Sequence, residues 1–215
     1  MMEFNEANVV YATDALRKAG AFFHSRGWAP ATSGNYSARL SESRVLMTVS
    51  GAHKGELESR DFLIVDLENN ILAKQEERHR PSAEALLHLQ LYKRYADVGS
   101  VLHTHSVAST ALGMCAGSSF VSEGLEMHKA LAGFSTHEQR LEVPIVENTQ
   151  DMRALTDELE EKLPSEMYGW PGYLIRGHGI YAWGESVAIA KRHIEGFEFI
   201  FETQAMIRRF AQEQI

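Results

Sequence analysis

The spacing of hydrophobic residues divides the chain into helical and strand-like segments. Apolar residues recur at the helical period from about residue 6 to 26, and Gly27 follows as a stop signal, which predicts a first helix. Between Asn35 and about Leu72, short apolar runs separated by Gly, Ser, Asn and Asp predict several strands. The later predicted elements are helices at 81–95, 107–112, 126–131, 149–162 and 185–210, and strands at 100–102, 143–146, 173–176 and 180–183.

The order of these elements indicates an α/β fold. Several predicted strands follow one another without an intervening helix, so the sheet is expected to be mixed or antiparallel, with helices on both faces. No internal repeat, low-complexity tract or Gly/Ser/Pro-rich linker interrupts the chain. We therefore expect residues 1–215 to form a single domain.

Composition excludes several classes of protein. The chain has 215 residues, 44% of them hydrophobic, which is enough to bury a core without disulfides or structural metals. It contains no 18-residue apolar run, and its first residues lack the basic and apolar regions of a signal peptide, so neither a membrane span nor secretion is expected. A net charge of -8 without a basic stripe argues against nucleic-acid binding. The single cysteine, Cys115, fits a reducing cytoplasm.

A pair of histidines, His103 and His105, follows the predicted strand at 100–102. On a strand, residues i and i+2 point to the same face about 6.6 Å apart, whereas on a helix they would point roughly 200° apart. Two imidazoles on one face of a strand can share a metal ion. The pair is also expected at the carboxyl end of its strand, where α/β sheets place their ligands.

A third histidine, His178, lies between Gly177 and Gly179, in the connection between the two late strands. Glycines on both sides let the backbone turn tightly and present the imidazole openly, although they are equally typical of a simple hairpin turn. Together His103, His105 and His178 offer three nitrogen ligands and leave a fourth position open, as catalytic zinc requires. Mn²⁺, Fe²⁺ or Co²⁺ could use the same ligands.

Two polar turns are candidates for binding phosphate. The first contains Ser33, Gly34 and Asn35, and the second contains Ser50 and Gly51 and continues to Lys54, which adds a cation. Ser82, near a predicted helix start, is a further candidate. Ordinary solvent-exposed turns would show the same residue types.

Five segments, in order along the chain, resemble the class II aldolase and ribulose-phosphate epimerase superfamily. Within it, four further stretches resemble a branch of dehydratases that act on a phosphorylated ketose. The superfamily segments are 33–37, 50–51, 81–84, 103–106 and 177–179, and the dehydratase stretches are 27–35, 126–131, 144–148 and 176–184. The resemblance implies a single class II aldolase-like catalytic domain and a homotetramer with sites near subunit boundaries. It also implies one Zn²⁺ per subunit at the three histidines, with phosphate held by the two turns.

Two glutamates, Glu84 and Glu126, are the candidates for proton transfer. In aldolases of this superfamily the carboxylate matching Glu84 is the acid/base, whereas some dehydratase relatives lack it and use the one matching Glu126. This chain has both, and we assign the role to Glu126 first and Glu84 second. From the residues alone, Glu126 is also compatible with a solvated helix carboxylate, and Glu84 with a first-turn residue favoured by the helix dipole.

The implied reaction removes a proton from C3 and hydroxide from C4 of a 1-phospho-2-ketose. A sugar-phosphate aldolase or a 4-epimerase would use the same metal and phosphate turns, so the motifs do not separate these activities. A non-catalytic scaffold protein with this fold is a third alternative. It would not need three metal-positioned histidines together with Glu84 and Glu126.

Overall fold

A computed structural model of the chain describes residues 6–167 and 170–213, with only the backbone of 212 and 213. Its helices are α1 (Ala7–Ser25), α2 (Ala85–Arg94), α3 (Val107–Cys115), α4 (Met152–Lys162) and α5 (Val187–Glu213). Its strands are β1 (Asn35–Ser41), β2 (Arg44–Thr48), β3 (Phe62–Val65), β4 (Ile71–Lys74), β5 (Ser100–Thr104), β6 (Ser119–Ser122), β7 (Leu141–Val146), β8 (Gly172–Ile175) and β9 (Gly179–Gly184). Short 3₁₀ helices lie at Lys54–Glu56, Ser59–Asp61 and Glu126–Ala130.

All of these strands belong to one sheet, in the order β4-β3-β2-β1-β5-β9-β8-β7-β6. Strands β7 and β8 pair in parallel, and the other described neighbours are antiparallel. The expected mixed sheet is therefore confirmed. Strand β5 lies at its centre between β1 and β9, so three elements that are distant in sequence meet where the His103–His105 pair lies.

The two faces of the sheet carry separate apolar cores. Alternation along β3 shows this: Phe62 and Ile64 pack into one core and Leu63 and Val65 into the other. The first core also contains buried residues of α1, α3 and α5, whereas the second contains buried residues of α2 and α4. Helices therefore cover both faces, as the α/β pattern predicts.

Helix α5 closes the first core. Its residues Ile194, Phe197 and Phe201 are fully buried, as their helical spacing predicts, but Ala205 is exposed, so the packed face ends before that residue. The other described helices are shorter. Across the described ranges, no helix combines the length and the apolar composition needed to cross a bilayer.

Helix α2 and strand β6 differ from the predicted elements. Helix α2 begins at Ala85 and not at Pro81-Ser82, because Pro81 forms an isolated antiparallel bridge with Val49 and is held in an extended conformation. Strand β6 has no counterpart among the predicted elements. It is a four-residue edge strand, too short for a clear pattern in its own sequence, and its pairing with β7 stabilises it.

Candidate metal centre and phosphate turns

Strand β5 and the β8–β9 turn bring the three histidines together. His103 pairs with Asn35 of β1 and with Tyr181 of β9, so its place is fixed from both sides. His178 lies in the tight turn before Gly179, where an added Cβ would sit 2.0 Å from the carbonyl oxygen of Thr104. Only glycine allows the turn to approach β5 this closely, so position 179 requires glycine for structural reasons.

The Nε2 atoms of the three imidazoles converge on one point. The Nε2 atom of His103 lies 2.7 Å from that of His105 and 3.3 Å from that of His178. All three ligand atoms lie within 4.8 Å of one another. The structure therefore brings His103, His105 and His178 into one cluster.

The tautomer of His103 is set by the backbone. Its Nδ1 lies 2.9 Å from the carbonyl oxygen of Ile180, which can only accept, so Nδ1 carries the proton and Nε2 presents its lone pair to the cluster. Burial lowers the pKa of His103 well below its ordinary value and lowers that of His105 to about 4. Both rings are therefore neutral at physiological pH, the form that ligates metals.

This donor set fits a divalent ion. Ring nitrogens this close to one another repel unless a cation or a proton lies between them. Tetrahedral zinc with nitrogen ligands places those nitrogens about 3.3 Å apart, close to the 3.3 Å between His103 and His178. Nδ1 of His178 is buried without a hydrogen-bond partner among the described atoms. Its ring is therefore held by the turn and not by a second hydrogen bond.

Glu84 adds a carboxylate to the cluster. Its Oε1 lies 3.2 Å from His178 Nε2 and its Oε2 lies 3.6 Å from His103 Nε2. Its Oε2 also accepts hydrogen bonds from Asn35 Nδ2 at 2.5 Å and from the Tyr181 hydroxyl at 3.0 Å. Burial raises the pKa of Glu84, but the hydrogen bond from His178, the electrostatic effects of His103 and His178 and the hydrogen bond from Asn35 outweigh it, and the pKa stays below its ordinary range.

Asn35 and His88 hold Glu84 in place. The Asn35 side-chain oxygen accepts a hydrogen bond from His88 Nε2, and the other ring nitrogen of His88 bonds the Ser37 hydroxyl at 2.7 Å. The Asn35 side chain is thus engaged by Glu84 and His88. The sequence analysis did not single out His88. The signal that could have found it is its spacing, four residues after Glu84, which places both on one face of a helix.

The two predicted phosphate turns differ in their surroundings. At Gly34 the backbone has a φ of 78°, and an added Cβ would lie 2.5 Å from the His103 carbonyl oxygen, so this turn lies directly against the end of β5. The Ser33 hydroxyl beside it is buried without a partner among the described atoms. Ser50 and Gly51 are exposed, and Gly51 also has a φ of 78°.

Ser82 lies beside Glu84 at the approach to α2. Its hydroxyl accepts a hydrogen bond from the backbone N–H of Glu84 at 3.2 Å. Because α2 begins three residues later, at Ala85, Ser82 lies in the turn before the helix and not in its first turn.

Glu126 lies apart from the histidine cluster. It begins the 3₁₀ helix at Glu126–Ala130, and its side chain is 69% exposed. Its two oxygens face Lys129 Nζ and His137 Nδ1. No described contact within the protomer joins Glu126 to His103, His105, His178 or Glu84. The structure thus brings one of the two candidate carboxylates to the cluster and leaves the other on the surface.

A third carboxyl group, Glu198 of α5, lies beneath the β5–α3 turn. It is fully buried, and Thr104 Oγ1 donates to its Oε1 at 3.5 Å. Burial raises the pKa of Glu198 to about 8, against a smaller opposing effect of hydrogen bonding from Ser106. The group is therefore mostly protonated at neutral pH, next to the two residues that flank His105. Sequence reasoning did not single out this residue.

Replacing Glu198 with glutamine is expected to change how stability depends on pH. Its folded-state pKa of about 8 lies above its ordinary value of 4.5, so unfolding releases a proton between these pH values. The wild-type free energy of unfolding should therefore fall relative to E198Q as pH rises through this window, by at most about 1.4 kcal/mol per pH unit. Urea unfolding of both proteins at several pH values measures the difference. Parallel curves would contradict the prediction, and E161Q, at an exposed position of α4, is the matched control.

Comparisons with known proteins place this arrangement in context. The family model described as Class II Aldolase and Adducin N-terminal domain matches residues 14–205. A methylthioribulose-1-phosphate dehydratase of Pseudomonas aeruginosa (strain UCBPP-PA14) is 48% identical over 196 residues, covering 91% of this chain and 94% of the relative. The dehydratase of the same name from Marinobacter nauticus is 46% identical over 206 residues, covering 94% of this chain and 96% of the relative.

Solved structures of the same fold agree with these matches. The crystal structure of l-fuculose-1-phosphate aldolase from Thermus thermophilus superposes with a TM-score of 0.76 at 25% identity, covering 94% of this chain and 97% of that one. The N-terminal class II aldolase domain of a Thermoplasma acidophilum protein has a TM-score of 0.62 at 17% identity, covering 95% of this chain and 96% of that one, a likeness of fold alone.

Proposed function

Since this chain belongs to the class II aldolase and adducin N-terminal domain family, we propose that it is a metal-dependent lyase of methionine salvage. It would dehydrate 5-methylthioribulose 1-phosphate to 2,3-diketo-5-methylthiopentyl 1-phosphate. The observation that carries the proposal is the cluster of His103, His105, His178 and Glu84, in a chain 48% identical to a dehydratase of this name.

We assign the metal site to His103, His105 and His178, with one Zn²⁺ per subunit. Three imidazole nitrogens with an open position are a typical ligand set of catalytic zinc. A divalent ion bound there would polarise the ketone of the substrate and so make its C3 proton acidic enough for a carboxylate to remove. Glu84, which contacts two of these histidines and is held by Asn35, would keep the ligands in position.

We assign proton transfer to Glu126, acting in the site of a neighbouring subunit. Glu84 is a weak candidate for the base, because its oxygens already accept hydrogen bonds and its pKa is low. Glu126 is exposed on its own protomer, so a second copy of the chain can pack against it. This assignment requires the homotetramer implied by the family resemblance. Glu126 would take the C3 proton as hydroxide leaves C4, and the resulting enol would convert to the diketone.

The substrate phosphate is assigned to the two turns. The unpartnered Ser33 hydroxyl, the backbone around Gly34, and Ser50 with Gly51 would bind its oxygens, with Ser82 close by. Asn35 ends the first turn, and its side chain serves the site by supporting Glu84. We also propose that the whole chain is one catalytic domain and that it acts in the cytoplasm, consistent with one sheet and a free Cys115.

Turnover of 5-methylthioribulose 1-phosphate tests the proposal. Purified protein should convert it to a product lighter by one water, about 18 Da, as seen by mass spectrometry. Because the metal makes the C3 proton acidic, chelation should stop the reaction and added Zn²⁺ should restore it. If fully metallated protein forms no such product, the dehydratase assignment is wrong.

A sugar-phosphate aldolase or 4-epimerase is the second candidate. The superposition on the l-fuculose-1-phosphate aldolase and the contact of Glu84 with the histidines favour it, since the matching aldolase carboxylate transfers the proton. The products distinguish the candidates: an aldolase yields two smaller fragments and an epimerase yields a sugar of unchanged mass.

A further inference from the structure

Lys54 is a buried cation at the junction of the two phosphate turns. It begins the 3₁₀ helix Lys54–Glu56, and only 1% of its surface is exposed. Its ammonium donates to the carbonyl oxygen of Thr32 at 3.1 Å and to that of Ala52 at 2.5 Å. Thr32 belongs to the first turn and Ala52 to the second, so one ammonium group joins both.

The charge of Lys54 has no close counter-ion within the described part of the chain. An ammonium has three N–H donors, and the two backbone carbonyls account for two of them. No carboxylate among the described residues lies within ion-pair distance of it. Burying an unpaired charge is costly, so a charge that is buried in this way is expected to have a function. Burial lowers the pKa of Lys54 to about 8, which still leaves most of the group charged at neutral pH.

The ammonium also lies close to the metal centre. The carboxylates of Asp61 and, to a smaller extent, Glu84 act electrostatically on the ammonium and raise its pKa against the effect of burial. Burial and His178 lower the pKa of His105, and the charge of Lys54 lowers it further. Lys54 therefore contacts both turns and lies within electrostatic range of the histidine cluster. A ligand that reaches from the metal centre to the turns would pass next to this charge.

We propose that Lys54 is a substrate-binding residue whose ammonium pairs with the phosphate of the substrate. The remaining N–H would donate to a phosphate oxygen, while the other two keep the turns together. A dianionic ligand would supply the missing counter-charge, and the enzyme would thereby select a phosphorylated ketose over the free one. The inference rests on the proposed function for the identity of the substrate, and on the position of Lys54 for the phosphate.

Binding of inorganic phosphate to metallated K54M tests this directly. Methionine fills nearly the same volume without the charge, so K54M should fold and keep its metal, while the Kd for phosphate measured by calorimetry rises at least about tenfold. In turnover assays the KM for the phosphorylated ketose should rise more than kcat falls. The matched control is K162M, because Lys162 also donates to a backbone carbonyl but belongs to α4.

Three results would overturn the inference. A phosphate Kd in K54M within twofold of wild type would show that the charge does not bind phosphate. An equal loss of affinity for phosphate and for unphosphorylated 5-methylthioribulose in K54M would show that Lys54 only holds the turns together. Phosphate affinity in K54R as low as in K54M would support the same conclusion. Because phosphate binding is measured without turnover, it stays interpretable if the protein proves not to be a dehydratase.

Discussion

Replacing His103 with alanine is expected to abolish metal binding and turnover together. His103 is fully buried, its tautomer is set by the Ile180 carbonyl, and its Nε2 faces both other histidines, so its loss removes the central nitrogen of the cluster. Metal analysis should find well under one equivalent per chain. Turnover should fall at least about a hundredfold, because Lewis-acid assistance contributes several kcal/mol.

The control for this variant is H193A. His193 is equally buried, and its Nδ1 also faces a carbonyl oxygen of β9, that of Trp183, at 2.6 Å. H193A should therefore lower thermal stability about as much as H103A while keeping metal and activity. An H103A protein that retains a full equivalent of metal and its turnover would contradict the proposed site. Loss of metal from both variants would mean that the effect is one of folding and not of ligation.

The three proposed metal ligands can be predicted from the sequence because each has a local signal. Residues i and i+2 of a strand share a face, which identified His103 and His105, and the flanking glycines identified His178. The structure brings the three together as expected. The support of Glu84 by Asn35 has no such local signal. It depends on the antiparallel register that sets Asn35 opposite His103, and register between distant strands is a tertiary property.

Burial of polar groups was the other property that the sequence did not reveal. Lys54 and Glu198 are charged residues of types that are almost never fully buried, so composition alone predicts both on the surface. Lys54 is enclosed by the packing of α1 against the Lys54–Glu56 segment, where an added Cβ at Gly20 would lie 2.3 Å from the Lys54 carbonyl. Glu198 is enclosed because its helix also carries Phe197 and Phe201 into the core.

Replacing Glu126 or Glu84 with glutamine is expected to distinguish the roles of the two carboxylates. E126Q should bind metal like wild type, since its side chain contacts no ligand within the protomer, but should lose about 10²- to 10⁴-fold in kcat for want of a general base. E84Q should bind metal more weakly, because Glu84 contacts His103 and His178. Near-normal turnover by metallated E126Q would move the proton-transfer role to Glu84.

Mixed oligomers then decide whether Glu126 acts in its own subunit or in its neighbour. H103A and E126Q chains, each inactive alone, are co-expressed in equal amounts. If a site combines histidines from one subunit with Glu126 from the next, half of the sites have an intact histidine set and half of those face an intact Glu126. About a quarter of wild-type activity should return. Mixing H103A with H178A gives no rescue, because both histidines belong to one cluster within a protomer. Absence of rescue in the first mixture, with mixed oligomers verified by mass spectrometry, would show that Glu126 does not act in the site of a neighbouring subunit.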